Sequence, residues 1–158
     1  MSRVTKNSWK HLPFKTYETF DFNKKLSIEE FNKLKQGHLP EAMEDHWFMY
    51  CDENSVNWIR SWTGIQIFKG IYRIENNMCI IYSVQINNNK DEYQPKSYYE
   101  SLGLFEHLVD CYSTESKEKI NKFWDRENEL AEQIEEGKIT KEEADEIRKK
   151  YYLESLEK

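Results

Sequence analysis

Two stretches of the chain gather residue types that can hold or transform a ligand. They are Glu41-Ala42-Met43-Glu44-Asp45-His46-Trp47-Phe48-Met49-Tyr50-Cys51 and Trp58-Ile59-Arg60-Ser61-Trp62-Thr63-Gly64. Read as strands, alternate side chains share a face, which puts His46, Phe48 and Tyr50 together and seats Arg60 between Trp58 and Trp62. Indole faces that stack a base, with a guanidinium gripping phosphate, are a common way to hold a flat anionic nucleotide. Thr63-Gly64 adds a hydroxyl and a permissive turn where an amide could approach a phosphate oxygen. Asp45 and Trp47 complete the expected ligand-binding set of Asp45, Trp47, Trp58, Arg60, Trp62, Thr63 and Gly64. The opposing reading is structural: a guanidinium held by cation–π contact and by a carboxylate such as Glu44 or Asp45.

Glu44, Asp45 and His46 stand at the entry to the first of these strands, a rim position suited to catalytic groups. Glu44 and His46 share a face while Asp45 points away, so Glu44 or His46 is the candidate general base. The same residues serve equally as loop charges. His11, His38 and His107 have no evident partner in sequence and read as surface or packing residues.

The blocks Pro40–Tyr50 and Arg60–Gly64 resemble a family of uncharacterised bacterial and phage proteins with a PEAMEDHWFMY…RSWTG signature. Family members are associated with ADP-ribose and NAD-related domains. The resemblance therefore implies binding or processing of an ADP-ribose-like or other nucleotide metabolite, with no catalytic assignment attached. The tail from Leu130 to Leu153 resembles the short C-terminal helical hairpins appended to many bacterial proteins, which implies oligomerisation or tethering.

Bulk properties narrow the classes. The 158 residues carry a formal net charge of -6, and no Lys/Arg cluster rises above that background. A phosphate-tracking groove for a nucleic-acid polymer is not expected, whereas one placed arginine suffices for a small anion. Aromatic residues reach 15% in a chain that is 33% charged, so much of the burial must come from Trp, Tyr and Phe. Cys51, Cys79 and Cys111 are odd in number and widely spaced, which argues against a disulfide framework and against a zinc site. No metal or cofactor is expected. The opening residues lack an apolar signal core, and no run approaches the roughly 18 apolar residues of a membrane span. A cytoplasmic protein is expected.

Periodicity supplies the frame that must position the two stretches. Strands are predicted over 14–22, 46–51, 56–62, 65–74 and 78–86, with Asn76-Asn77 as a tight hairpin turn. In the last strand Met78, Ile80, Tyr82, Val84 and Ile86 are expected to share one face. Ser27 with Glu30 forms a capping box that starts a helix ended by Gly37. Ser97 with Glu100 starts a second helix, expected to turn Tyr99, Leu102, Phe105 and Val109 toward the sheet. Two further helices follow, turned by Gly137, the second capped by Thr140 with Glu143. The fold class is α+β: an antiparallel meander of about four or five strands with packing helices and a C-terminal helical hairpin. The expected domains are 1–113 and 114–158. One apolar stripe on the hairpin cannot bury itself, so the hairpin must pack on the sheet domain or on a partner chain.

Three functions fit these readings. The first is a binding module for a nucleotide-type small molecule (ADP-ribose-like, NAD-derived or cyclic), which could sequester a signalling nucleotide. The second is a hydrolase of such a nucleotide. The third is a protein–protein adaptor using the Trp-rich face. A homo-oligomer is expected, with no nucleic-acid polymer and no membrane among its partners.

Overall fold

The computed structural model describes residues 3–158. In chain order it contains β1 (Tyr17–Ser27), α1 (Ile28–Lys35), β2 (Trp47–Cys51), β3 (Ser55–Arg60), β4 (Gln66–Glu75), β5 (Met78–Asn87), α2 (Tyr98–Ser113), α3 (Lys117–Glu135) and α4 (Lys141–Leu156). The class is α+β. All five strands form one antiparallel sheet in the order β1-β5-β4-β3-β2. The β4–β5 hairpin turns through Asn76 and Asn77, both at positive φ, the left-handed conformation such a tight turn requires.

Register explains where the sheet is buried. Met49, Trp58, Phe68 and Ile86 lie opposite one another across β2, β3, β4 and β5 and are all fully buried. On the reverse face Phe48, Tyr50 and Ile59 form a smaller cluster, against which Val4 packs. The strap from Val4 to Leu12 is fastened there by long-range hydrogen bonds. The Val4 amide donates to the Gln36 carbonyl, and the Leu12 amide donates to the Gly64 carbonyl.

Two expectations of strict alternation fail, for one physical reason each. In β5 the buried residues are Cys79, Ile81, Val84, Ile86 and Asn87, while Tyr82 is exposed. A register shift pairs Ile71 with Ser83 but Tyr72 with Ile81, so Tyr82 is an extra residue that reverses the inward phase below it. β3 ends at Arg60 instead of running to Trp62, because the Arg60 carbonyl accepts from the Gly64 amide and closes a turn. β1 likewise begins at Tyr17 and continues to Ser27, later than predicted at both ends.

The described residues divide into two compact units between Gln94 and Pro95. This division places α2 with α3 and α4, whereas the expected boundary at 113/114 follows α2. In the helical unit, Gly103 lets α2 and α3 approach closely: a Cβ there would lie 2.8 Å from Phe123 Cδ1. The predicted apolar stripe of the hairpin is interrupted at its centre. Glu127 and Arg148 are both buried, and the Arg148 guanidinium donates from Nε to Glu127 Oε2 at 2.9 Å and from a terminal nitrogen to Oε1 at 2.8 Å. Trp124, Tyr151 and Leu153 stay about half exposed. Among the described residues no helix is long and apolar enough to cross a membrane.

Candidate functional site

The 40–46 loop and the turn after β3 come together, so both sequence blocks meet in space. Ser61 is the hub. Its hydroxyl donates to the Asp45 carbonyl at 2.8 Å, its amide donates to the His46 carbonyl at 2.9 Å, and its own carbonyl accepts from Trp9 Nε1 at 2.7 Å. Trp62 Nε1 donates to the Met43 carbonyl at 3.1 Å. Between these segments lies a cleft of about 390 Å³ walled by Trp9, Trp62, Met43 and Pro40, with Lys10 and Glu41 among its polar lining. Both indole N–H groups are spent on backbone carbonyls, so each ring is pinned and offers the cleft no donor of its own.

Asp45 does not face this cleft as a ligand group. Its Oδ2 accepts from His38 Nε2 at 2.5 Å and from the Glu41 amide at 3.2 Å, clasping the loop from behind. His38 therefore has a partner, contrary to the sequence reading, and the other two histidines do as well. His11 Nε2 lies 2.9 Å from Gln66 Oε1, with its ring edge against Tyr50. His107 takes a hydrogen bond from Trp124 Nε1 at 3.1 Å, and its Nδ1 lies 2.8 Å from the Ile120 carbonyl. A carbonyl only accepts, so Nδ1 carries the proton and Nε2 is the acceptor.

The expected arrangement of Arg60 between Trp58 and Trp62 is not what forms. Trp58 is fully buried on the core face, and Trp62 is 60% exposed in the turn beyond the strand. Arg60 instead stacks on Trp47, its cross-strand partner, 4.7 Å from the ring centroid. Trp47 leans on Phe68, and Phe68 on Tyr93. Among the described residues no carboxylate pairs with Arg60, and burial pulls its pKa below the ordinary arginine value while Tyr93 opposes that shift. Neither Glu44 nor Asp45 is its counter-ion.

Thr63 and Gly64 serve the turn. Thr63 Oγ1 accepts from the Ile65 amide at 3.2 Å, and the Gly64 amide is committed to Arg60. Gly64 has φ +76, a conformation that favours glycine, and a Cβ there would press on the strap 3.2 Å from Lys10 Cγ. Glu44 and His46 are exposed at the loop. Sequence reasoning missed Trp9 and Lys10, and it gave Met43 no role although that residue lies within the first block.

No group of three or more His, Cys, Asp or Glu side chains gathers as a metal site among the described residues. Burial pushes the Cys51 and Cys79 thiols up to about 12 and raises that of Cys111, which suits packing and not nucleophilic attack. Comparisons with family models, with curated proteins and with solved structures return no match.

Proposed function

We propose that the chain is a binding module for a nucleotide-type small molecule, ADP-ribose-like, NAD-derived or cyclic, seated between Trp9 and Trp62. The observation that carries this reading is the pair of pinned indoles walling one cleft, with the Lys10 ammonium at hand for a phosphate. The cleft volume falls within the roughly 300–1,000 Å³ typical of small-molecule sites. Arg60 is not part of this cleft's lining; it lies half-buried on Trp47 without a carboxylate partner among the described residues. The three thiols fit a reducing, cytoplasmic setting.

A thermal-shift panel of AMP, cyclic AMP, NAD and ADP-ribose tests this, followed by affinity measurement on Trp62→Ala. Because Trp62 is 60% exposed, its removal should leave the melting temperature nearly unchanged. Loss of one stacking ring should weaken binding by about 1–3 kcal/mol, roughly fivefold to a hundredfold. No stabilisation by any of the four ligands would defeat the proposal. Product formation from ADP-ribose would move the reading to a hydrolase, with Glu44 and His46 the exposed candidates for its base.

A second reading rests on exposure. Trp9, Leu12, Leu39, Met43 and Trp62 are each 38% exposed or more, an apolar surface that an adaptor would use. Self-association through the helical unit is proposed on the same ground, from Trp124, Tyr151 and Leu153. Trp124→Ser with Tyr151→Ser should reduce the mass measured by light scattering to that of one chain. A parent protein already at one chain's mass would remove that role.

A further inference from the structure

A second concave site lies on the sheet, and its lining shares no residue with the Trp9–Trp62 cleft. It holds about 430 Å³ and is bordered by Phe14 and Tyr17, with Ser55, Gln66, Lys69 and Gln85 in its lining. We propose that this site binds a neutral sugar.

The floor is set by strand register. Asn57, Lys69, Gln85 and Thr19 stand opposite one another across β3, β4, β5 and β1, giving a polar row on one face of the sheet. A polar row alone is an ordinary solvated surface. What distinguishes this one is the buried chain of side chains at its edge. Gln66 is 2% exposed, Asn57 0% and Ser55 3%. Gln66 Oε1 can only accept, so His11 Nε2 donates to it at 2.9 Å. Gln66 Nε2 donates to Asn57 Oδ1 at 2.8 Å, and Asn57 Nδ2 donates to Ser55 Oγ at 3.0 Å. Each bond fixes the orientation of the next amide, and the chain ends on a hydroxyl that is already an acceptor. The Ser55 O–H is therefore a donor, and it has no protein acceptor among the described residues.

The remaining groups define the ligand chemistry. Lys69 and Gln85 are half-buried, and their side chains have no hydrogen-bond or ionic partner among the described residues. Gln85 both donates and accepts, Lys69 donates, and the Asp52 carboxylate in the lining accepts. One cation and one carboxylate leave no net demand for an anion. The Tyr17 ring is 48% exposed, with Phe14 5.4 Å away, and gives an aromatic platform for the C–H face of a sugar ring. Alternating donors and acceptors beside a ring suit hydroxyls, each of which does both. An added peptide strand does not fit, because this face belongs to inner strands whose backbone groups are already paired.

The test is an NMR titration of the full chain with glucose, galactose, mannose, N-acetylglucosamine and their disaccharides, with AMP as a separate arm. At least one sugar should shift the side-chain amides of Gln85 and Gln66 and the Tyr17 ring, leaving the Trp9 and Trp62 indoles unmoved. Tyr17→Ala and Gln85→Ala, both at positions with room to change, should each weaken that response roughly fivefold or more, as loss of a ring contact or a hydrogen bond would. Nucleotide binding at the other cleft should be unchanged in both variants, so failure here is distinguishable from failure there. The proposal falls if no sugar shifts these resonances, or if AMP shifts them in preference to every sugar.

Discussion

Arg148→Ala is expected to lower stability by about 3–5 kcal/mol, the usual consequence of leaving one buried charge without its partner. Arg148 and Glu127 are each 5% exposed, and the guanidinium fork spans both carboxylate oxygens. Burial alone would raise the Glu127 pKa, but the hydrogen bonds and charge of Arg148, helped by Arg126, outweigh it and hold the carboxyl below its ordinary value. The linkage sign follows. A depressed folded pKa gives stability that is fully present above the ordinary glutamate pKa and is lost as pH falls through the folded value. Arg148 is shifted up, chiefly by its hydrogen bond to Glu127, and stays charged throughout. Urea denaturation followed by helical circular dichroism should show the loss at neutral pH and a smaller gap between parent and variant in acid. The paired change Glu127→Leu with Arg148→Met should cost less than either single change, since it leaves neither member of the buried pair alone; only Arg126 and Asp145, both more exposed, lose a contact. Equal or greater damage in the double variant would show that the pair stabilises the unit beyond its own compensation.

Trp58→Ala is expected to cost about 3–5 kcal/mol, the range for removing a large aromatic from a packed core. The indole is fully buried between Met49 and Phe68 on the neighbouring strands, both also fully buried. Trp58→Phe should lose distinctly less. The contrast with Trp62 is diagnostic: the core tryptophan should affect denaturation midpoints and leave affinity for the proposed nucleotide ligand nearly unchanged in the folded protein. A stable Trp58→Ala protein with impaired nucleotide binding would return Trp58 to the ligand.

What could be read in the sequence was local. The capping boxes of α1 and α4 form as their residues dictate, Ser27 with Glu30 and Thr140 with Glu143, because each motif closes within a few residues. Asn76-Asn77 makes its turn for the same reason. The misplaced assignments had separate causes, some of them distant in sequence. Tyr82 breaks the β5 alternation only because its neighbours shift register around it, and nothing in Ile81-Tyr82-Ser83 announces that. Trp62 leaves the strand because Gly64 turns the chain, so counting by twos one step too far placed it beside Arg60. Glu127 was legible in principle: it stands four residues after Phe123 and three before Leu130, on the face that must be buried. A carboxylate at such a position calls for a cation on the facing helix, and Arg148 occupies the corresponding place four residues after Ala144.

The strap across the sheet sets the order in which this unit can be assembled. Trp9 is 52 residues from the carbonyl that pins it, and Leu12 is fastened to Gly64 and Gln66. On the ribosome the Trp9–Leu12 end of the strap must wait for its partners until the turn beyond β3 has emerged. The cleft between Trp9 and Trp62 thus exists in no fragment that ends before that turn, and closing it costs loop entropy that local hairpins do not. Folding kinetics should reflect this, with the Trp9 environment reaching its final state after the β4–β5 hairpin. The proposed binding cleft would then form only after the local hairpins of its own unit are in place.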